Sequence, residues 1–392
     1  MKASSLIQFF AMAAAALSAV AAAADVTKPA DYLTLHKVND LIYTMRAQAS
    51  DVKPLEIDMS HVLGQNAADG RARRFGCSAV TNGRYYGRNL DYFRSNHPVF
   101  VVWVDRGEGT AAYMGVTASP QLIMNIASDM SIGKPDVPAL QKHKELLMSM
   151  TADLMDGVNE HGVACNINMI DAQDSNLTDK GTKPGAPRLL STSVVQFILS
   201  RATSAHHAVK LLEEMNIVFA DNGPTLHWMI SDPDHTYVVE VKDDKMHVTD
   251  QHKVMTNYYV TTPEYTPHSC GIERADLLRR HRAEATSVEG MRQLMRRAAY
   301  SQSYSWNTTP FWYSEFYDNP QSGMHFSLNT PHDNKDFLKY INASISQFEH
   351  STHTHNPWLV WETSYTSVYD MAEKTLRLTT CEQWDEFVDF KL

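Results

Sequence analysis

From Cys77 onward the apolar segments come in pairs around tight turns, and this limits the fold more than any other feature of the chain. Cys77–Thr81 and Arg84–Asp91 flank Asn82-Gly83, a strong type I′ hairpin signal. Thr225–Ile230 and Thr236–Val241 flank Ser231-Asp232-Pro233-Asp234, and Leu359–Tyr369 is followed by Thr375–Thr380. Val99–Val104 is a continuous β-branched and aromatic run, the mark of a buried strand. Val163–Ile170 follows the turn Asn159-Glu160-His161-Gly162, and His252–Val260 reads as a further strand. Helical spacing covers 137–156, 191–215 (two helices broken near Ser204), 274–282 and 288–299. Strands joined by hairpins are antiparallel neighbours, so a doubly wound parallel sheet is excluded. The expected class is α+β, antiparallel sheets with helices packed outside. Ahead of Cys77, the spacing of Tyr32, Leu33, Val38, Leu41, Ile42 and Met45 predicts a helix over 31–49.

The first residues read as an address. Lys2 precedes an apolar run from Leu6 to Val20 that ends in the alanines 21–24, the pattern of a cleaved secretory signal peptide. The run is short for a membrane span, and no later stretch is long and apolar enough to cross a bilayer. The organisation expected is a signal peptide at 1–24, a pro-segment at 25–76 and a single catalytic domain at 77–392, secreted or periplasmic. The pro-segment has seven basic and seven acidic residues, so the acidic excess falls on 77–392. At a net charge of −10 with 43% hydrophobic residues, the chain is neither a disordered acidic polymer nor a basic nucleic-acid binder.

Of the four cysteines, Cys165 lies in an apolar run and reads as a buried small hydrophobe. Whether Cys270 and Cys381 pair is open. Cys77 is different, because it follows Gly76 at the start of a strand. Its thiol can attack the Gly76 carbonyl, and hydrolysis of the resulting thioester frees Cys77 as a new N-terminus. One residue then holds a nucleophile and a base, an α-amine of ordinary pKa about 7.7–8.0 beside a thiol of about 8.5. Arg88, on the return strand, can favour the thiolate, and Asp91 can hold the ammonium. On these residues alone, Gly87-Arg88-Asn89-Leu90-Asp91 is equally a polar strand end.

Gly76-Cys77-Ser78-Ala79 followed by Tyr86–Tyr92 resembles the opening of the N-terminal-nucleophile hydrolases of the choloylglycine hydrolase family. That family includes bile salt hydrolases, penicillin V acylases and, more distantly, acid ceramidase and N-acylethanolamine amidase. Further motifs match in order: Asp156–Gly162 running into Asn166-Ile167-Asn168, the hairpin His227–Val241, Met255-Thr256-Asn257, Arg274, and Trp361–Asp370. The resemblance covers roughly 77–385. It implies a four-layer αββα sandwich and hydrolysis of linear, non-peptide C–N amide bonds in small N-acyl substrates, with no cofactor and no metal. It implies Cys77 as nucleophile with its own amine as base, Arg88 and Asp91 as tuners of thiol and amine, and Asn168 as oxyanion donor. It further implies Asn257 as the group orienting the amine or substrate, and Arg274 as added positive charge. Leu90, between Arg88 and Asp91, is the residue expected to touch the acyl group. Asn166 shares a strand face with Asn168 and is an alternative donor.

Other readings stay beside this one. An acyltransferase or an N-acyl-lipid amidase would use the same design, and a binding protein would have no reason to keep six polar site groups. A papain-like protease needs its cysteine on a helix. His350, His353 and His355 read as a solvated loop rather than a metal site. The aromatic cluster from Tyr304 to Tyr317 fits a binding groove, a subunit interface or ordinary packing, so a homo-oligomer remains open. Met114, Met124 and Met130 are either core or an adaptable acyl-binding surface. Sequons stand at Asn176, Asn307 and Asn342.

Overall fold

The computed structural model describes residues 24–53, 76–93, 98–117, 137, 141, 144–170, 177, 180–219, 225–262, 271–299, 361–380 and 384–392. In chain order the strands are β1 (Ala24–Val26), β2 (His36–Lys37), β3 (Ile42–Ala47), β4 (Gly76–Asn82), β5 (Tyr85–Phe93), β6 (Val99–Val104), β7 (Tyr113–Thr117), β8 (Asp156–Asn159) and β9 (Ala164–Ile170). Then come β10 (Arg188–Leu190), β11 (Asn216–Val218), β12 (Thr225–Ser231), β13 (Thr236–Lys242), β14 (Lys245–Thr249), β15 (Val254–Met255), β16 (Trp361–Asp370), β17 (Thr375–Thr380) and β18 (Val388–Lys391). The α-helices are α1 (Lys144–Ser149), α2 (Val194–Arg201), α3 (Ala205–Glu213), α4 (Ile272–His281) and α5 (Val288–Arg297).

Two large sheets form, one of seven strands in the order β1-β18-β17-β16-β5-β4-β15 and one of nine in the order β14-β13-β12-β9-β8-β7-β6-β3-β2. Strand β6 shows why they face each other. Its residues are all buried, and alternate side chains serve two cores. Val99, Val101 and Trp103 join the cluster that also holds Ala79, Tyr86 and Val368 of the seven-stranded sheet. Phe100, Val102 and Val104 join the cluster with Val195, Ile198 and Leu199 of α2. Helices α2 and α3 cover the outer face of the nine-stranded sheet. Helices α4 and α5 cover the seven-stranded one, with Met291 and Met295 of α5 seated over Gly87. The result is the expected four-layer αββα sandwich.

The paired strands from Cys77 onward fold as read. Gly83 takes φ +57 in the β4–β5 turn, a conformation that favours glycine there. Ser204 ends the 191–215 stretch's first helix and caps the second by accepting from the His207 N–H. Asp232 shapes the β12–β13 turn, its carboxylate accepting from Asp234 and His235 N–H and from the Ala205 N–H at the start of α3.

Several expectations need correction. Residues 31–49 are not a helix, since β2 and β3 lie there. The reason is β6, which pairs with β3 in parallel register from Ile42↔Val99 to Ala47↔Val104. Spacing within 31–49 does not reveal a partner more than fifty residues away. The sheets are therefore mixed rather than purely antiparallel. β1 also joins β18 in parallel, and a small separate pair, β10–β11, is parallel too. In 137–156 the described helical residues are Val137 and Lys144–Ser149, and the expected helix stops short of its predicted end, since Asp156 already begins β8. The strand expected over 252–260 is only Val254–Met255.

The segment ahead of Cys77 is thus built into both sheets. Asp105, just past β6, gathers its polar side chains. It accepts from Arg46 Nε and Nη2 at 2.9 and 2.7 Å, from Lys28 Nζ at 2.9 Å and from the Tyr32 hydroxyl at 2.8 Å. Burial pushes the Asp105 carboxyl up, but these partners outweigh it and hold the group at about 2.

Candidate active site

Pairing of β4 with β5 sets Cys77 opposite Leu90 and Ala79 opposite Arg88. Cross-strand partners share a face, so Cys77, Arg88 and Leu90 all point between the sheets. Asp91 pairs with Gly76 and faces the other way, toward the helical layer. Its carboxylate accepts from Arg274 Nη1 of α4 at 2.7 Å and from the Thr363 hydroxyl of β16 at 2.6 Å. Cys77 sits at the start of the strand, where these two polar groupings meet.

The Cys77 backbone nitrogen donates to Asn257 Oδ1 at 2.8 Å. The same oxygen accepts from Arg274 Nη2 at 2.6 Å. Asn257 in turn donates through Nδ2 to the Met169 carbonyl at 2.7 Å, which ties it to β9. The sulfur has its own partner, Arg88 Nη2 at 3.9 Å. Burial pushes the Cys77 thiol up, Arg88 pulls it down, Asp91 opposes it, and Arg274 and the Asp91 backbone N–H favour the thiolate.

Arg88 is wholly buried, and both of its terminal nitrogens are engaged. Nη1 donates to Asp156 Oδ2 at 3.1 Å and to the Tyr365 hydroxyl, while Nη2 also reaches the Ile167 carbonyl at 3.2 Å. Asp156 opens β8 in the facing sheet. It also accepts from Tyr365 at 2.6 Å and from Tyr369. A second chain runs alongside. Tyr86 donates to Asn166 Oδ1, and Asn166 Nδ2 donates to Asn168 Oδ1 at 2.7 Å. Asn168 Nδ2 lies 3.3 and 3.2 Å from the Met255 and Thr256 carbonyls.

The Thr256-Asn257 segment is fixed from behind. His227 Nε2 donates to the Thr256 carbonyl at 2.8 Å, and His227 Nδ1 faces Glu240 at 3.2 Å. The Thr256 hydroxyl donates to the Gly271 carbonyl at 2.8 Å, which joins the segment to the first turn of α4, the helix that carries Arg274. A Cβ on Gly271 would come 2.5 Å from Thr256 Oγ1 and 2.7 Å from the Asn257 nitrogen, so the join is too close for a side chain.

All six polar residues singled out in the sequence therefore fall in one region, together with Leu90. Sequence reasoning missed Asp156, Thr363, Tyr365, Tyr369 and the His227–Glu240 pair as parts of this network. The sequence offered a signal, since Asp156 heads the Asp156–Gly162 motif and both tyrosines lie in the Trp361–Asp370 motif. Cys165 is a buried free thiol, as read, and Met114 is core. Cys270, Cys381, the histidines 350–355, the aromatic cluster, Met124, Met130 and the sequons lie outside the described residues. Among the described residues no cluster of three His, Cys, Asp or Glu side chains is arranged to hold a metal. Nor is any helix there long and apolar enough to cross a membrane.

Residues 120–310, just under half of the chain, match the family model described as linear amide C–N hydrolases, choloylglycine hydrolase family. This bears out the resemblance drawn from the ordered motifs. The matched region is thus similar to hydrolases that act on carbon–nitrogen bonds other than peptide bonds in linear amides. No sequence among curated proteins matches it. Among solved structures, a mutant conjugated bile acid hydrolase from Clostridium perfringens is similar at 15% identity and TM-score 0.42, over 81% of this chain and 92% of that one. A penicillin V acylase from Agrobacterium tumefaciens is similar at 16% identity and TM-score 0.35, over 78% and 83%. The Caenorhabditis elegans ortholog of N-acylethanolamine-hydrolyzing acid amidase is similar at 12% identity and TM-score 0.34, over 56% and 85%.

Proposed function

We propose that this protein is an exported, self-processing cysteine amidase that cleaves small N-acyl amides through a thioester on Cys77. One observation carries the reading: nitrogen and sulfur of the same residue each have a separate polar partner, Asn257 Oδ1 for the nitrogen and Arg88 Nη2 for the sulfur. That is the arrangement a residue needs if its amine is to take the proton from its own thiol.

Processing comes first. The Cys77 sulfur adds to the Gly76 carbonyl carbon, the Gly76–Cys77 C–N bond breaks, and the thiol proton goes to the departing nitrogen. Water then hydrolyses the thioester, leaving a Gly76 carboxylate and a free Cys77 thiol and amine. The nitrogen keeps its Asn257 acceptor throughout. In turnover the amine accepts the thiol proton and the sulfur attacks the substrate carbonyl. The amine product leaves with that proton, and water releases the acid from the thioester. Asn168 is the oxyanion donor in this reading. Its Nδ2 lies at the long end of hydrogen-bond range from both the Met255 and Thr256 carbonyls, and one N–H would turn from them to a substrate oxygen. Arg274 holds both Asp91 and Asn257 in place. Leu90, directly across from Cys77, supplies apolar contact to the acyl group, as bile-acid or phenoxyacetyl amides would require.

Intact mass of the secreted wild type should show a species beginning at Cys77, and Cys77→Ala should keep residues 25–76 and hydrolyse none of a panel of bile-acid conjugates, penicillin V-like amides and N-acyl lipids. A wild type that is active yet never cut before Cys77 would overturn the mechanism. Protein found only inside the cell with its first 24 residues intact would overturn export.

A further inference from the structure

The Cys77 sulfur meets Arg88 through one nitrogen, and where that nitrogen points is decided by the other side of the same planar group. Nη1 is held between Asp156 Oδ2 and the Tyr365 hydroxyl. The guanidinium carbon also lies 5.3 Å from the Tyr365 ring centre. With that edge fixed, the partners of Nη2 among the described residues are the Ile167 carbonyl and the sulfur. Asp156 is itself braced, because Tyr365 donates to one carboxylate oxygen and Tyr369 to the other. Burial, with the Asp156 carboxylate alongside, pushes both phenols well above the ordinary tyrosine range, so they remain donors. The brace spans the two sheets, with Asp156 on β8 and Arg88, Tyr365 and Tyr369 on the adjacent β5 and β16.

We propose that Asp156, held by Tyr365 and Tyr369, is a positioning residue that aims Arg88 Nη2 at the Cys77 sulfur. This rests on the reading of Cys77 as nucleophile and adds to it how the cation beside the thiol is kept in register. The charged and titratable groups that act on the sulfur are Arg88 from the same face of β5, Asp91 from its other face, Arg274 from α4, Tyr365 from β16 and, after the proposed cut, the Cys77 amine itself. Asp156 lies behind Arg88.

Aim and charge make opposite demands. Removing the carboxylate's charge alone would favour a thiolate and shift its formation to lower pH. Releasing Arg88 from its hold takes the cation away from the sulfur and shifts it to higher pH, by about one unit for a charge at this distance. The test follows Cys77 alkylation by iodoacetamide against pH, read by mass spectrometry of the Cys77 peptide so that Cys165 does not contribute. Asp156→Asn should raise the midpoint by about one pH unit, and Tyr365→Phe should raise it by less. An unmoved midpoint, meaning a merely structural contact, or a lowered one, meaning charge alone, would overturn the inference. If Asp156→Asn does not fold, Tyr365→Phe carries the same test. Failure of the nucleophile reading would show in the wild type as an uncut, inactive chain. Failure of this inference shows only in the difference between variant and wild type.

Discussion

Asp91 and Arg274 form a buried ion pair on the helical side of Cys77, each side chain at most 1% exposed. Truncating one partner of such a pair strands the other charge, which typically costs about 3–5 kcal/mol. Arg274→Ala should therefore lower the unfolding free energy by about that amount in denaturant titration, and it should also loosen Asn257. Asn168→Ala tests the proposed reaction instead. Loss of one oxyanion donor should lower kcat about a hundredfold with KM held, and a change in KM alone would remove Asn168 from that role. Cys77, Arg88, Leu90 and Asp91 were legible because a single hairpin carries them and its Asn-Gly turn fixes the register. Asn168, Asn257 and Arg274 were legible only through the order of motifs. Asp156 and Tyr365 were not, because their meeting depends on two sheets facing each other across distant parts of the sequence.

Among the elements, α4 is held to the site by the close contact of Gly271 with Thr256-Asn257 as well as by the Arg274 side chain. Gly271 has φ −101, an ordinary conformation, so a substitution there meets a space problem and not a backbone one. Gly271→Ala should force Thr256-Asn257 away from α4. It should cost about 1–3 kcal/mol in thermal unfolding, as overpacked sites do, and slow amide turnover by displacing Asn257. The elements that sequence reading placed well are those with local cues, such as the Ser204 cap or the continuous apolar run of β6. Strand β3 carried no such cue. Its buried positions, Ile42, Thr44, Met45 and Ala47, are compatible with a helical stripe until the parallel partner β6 is known.

At the scale of the molecule, residues 24–47 supply β1 to one sheet and β2 and β3 to the other. A chain cut before Cys77 should keep this piece, and the two fragments should co-elute in size-exclusion chromatography and separate only in denaturant. The Asp105 clamp gives the association an acid limit. A carboxylate held below its ordinary value of about 3.9 contributes stability above that value, and the contribution is lost as the pH falls toward about 2. Fragment release in acid should follow that window, and Asp105→Asn should weaken association at neutral pH while flattening the response across it.

Strand β3 precedes the proposed cut in sequence, yet its neighbour β6 follows it. While the chain is continuous, their encounter is a unimolecular event. Once severed, the two halves must find each other by diffusion. Refolding from denaturant should therefore be independent of protein concentration for the uncut Cys77→Ala chain and fall off on dilution for the processed enzyme, so maturation would commit each molecule to the single fold it reached before the break.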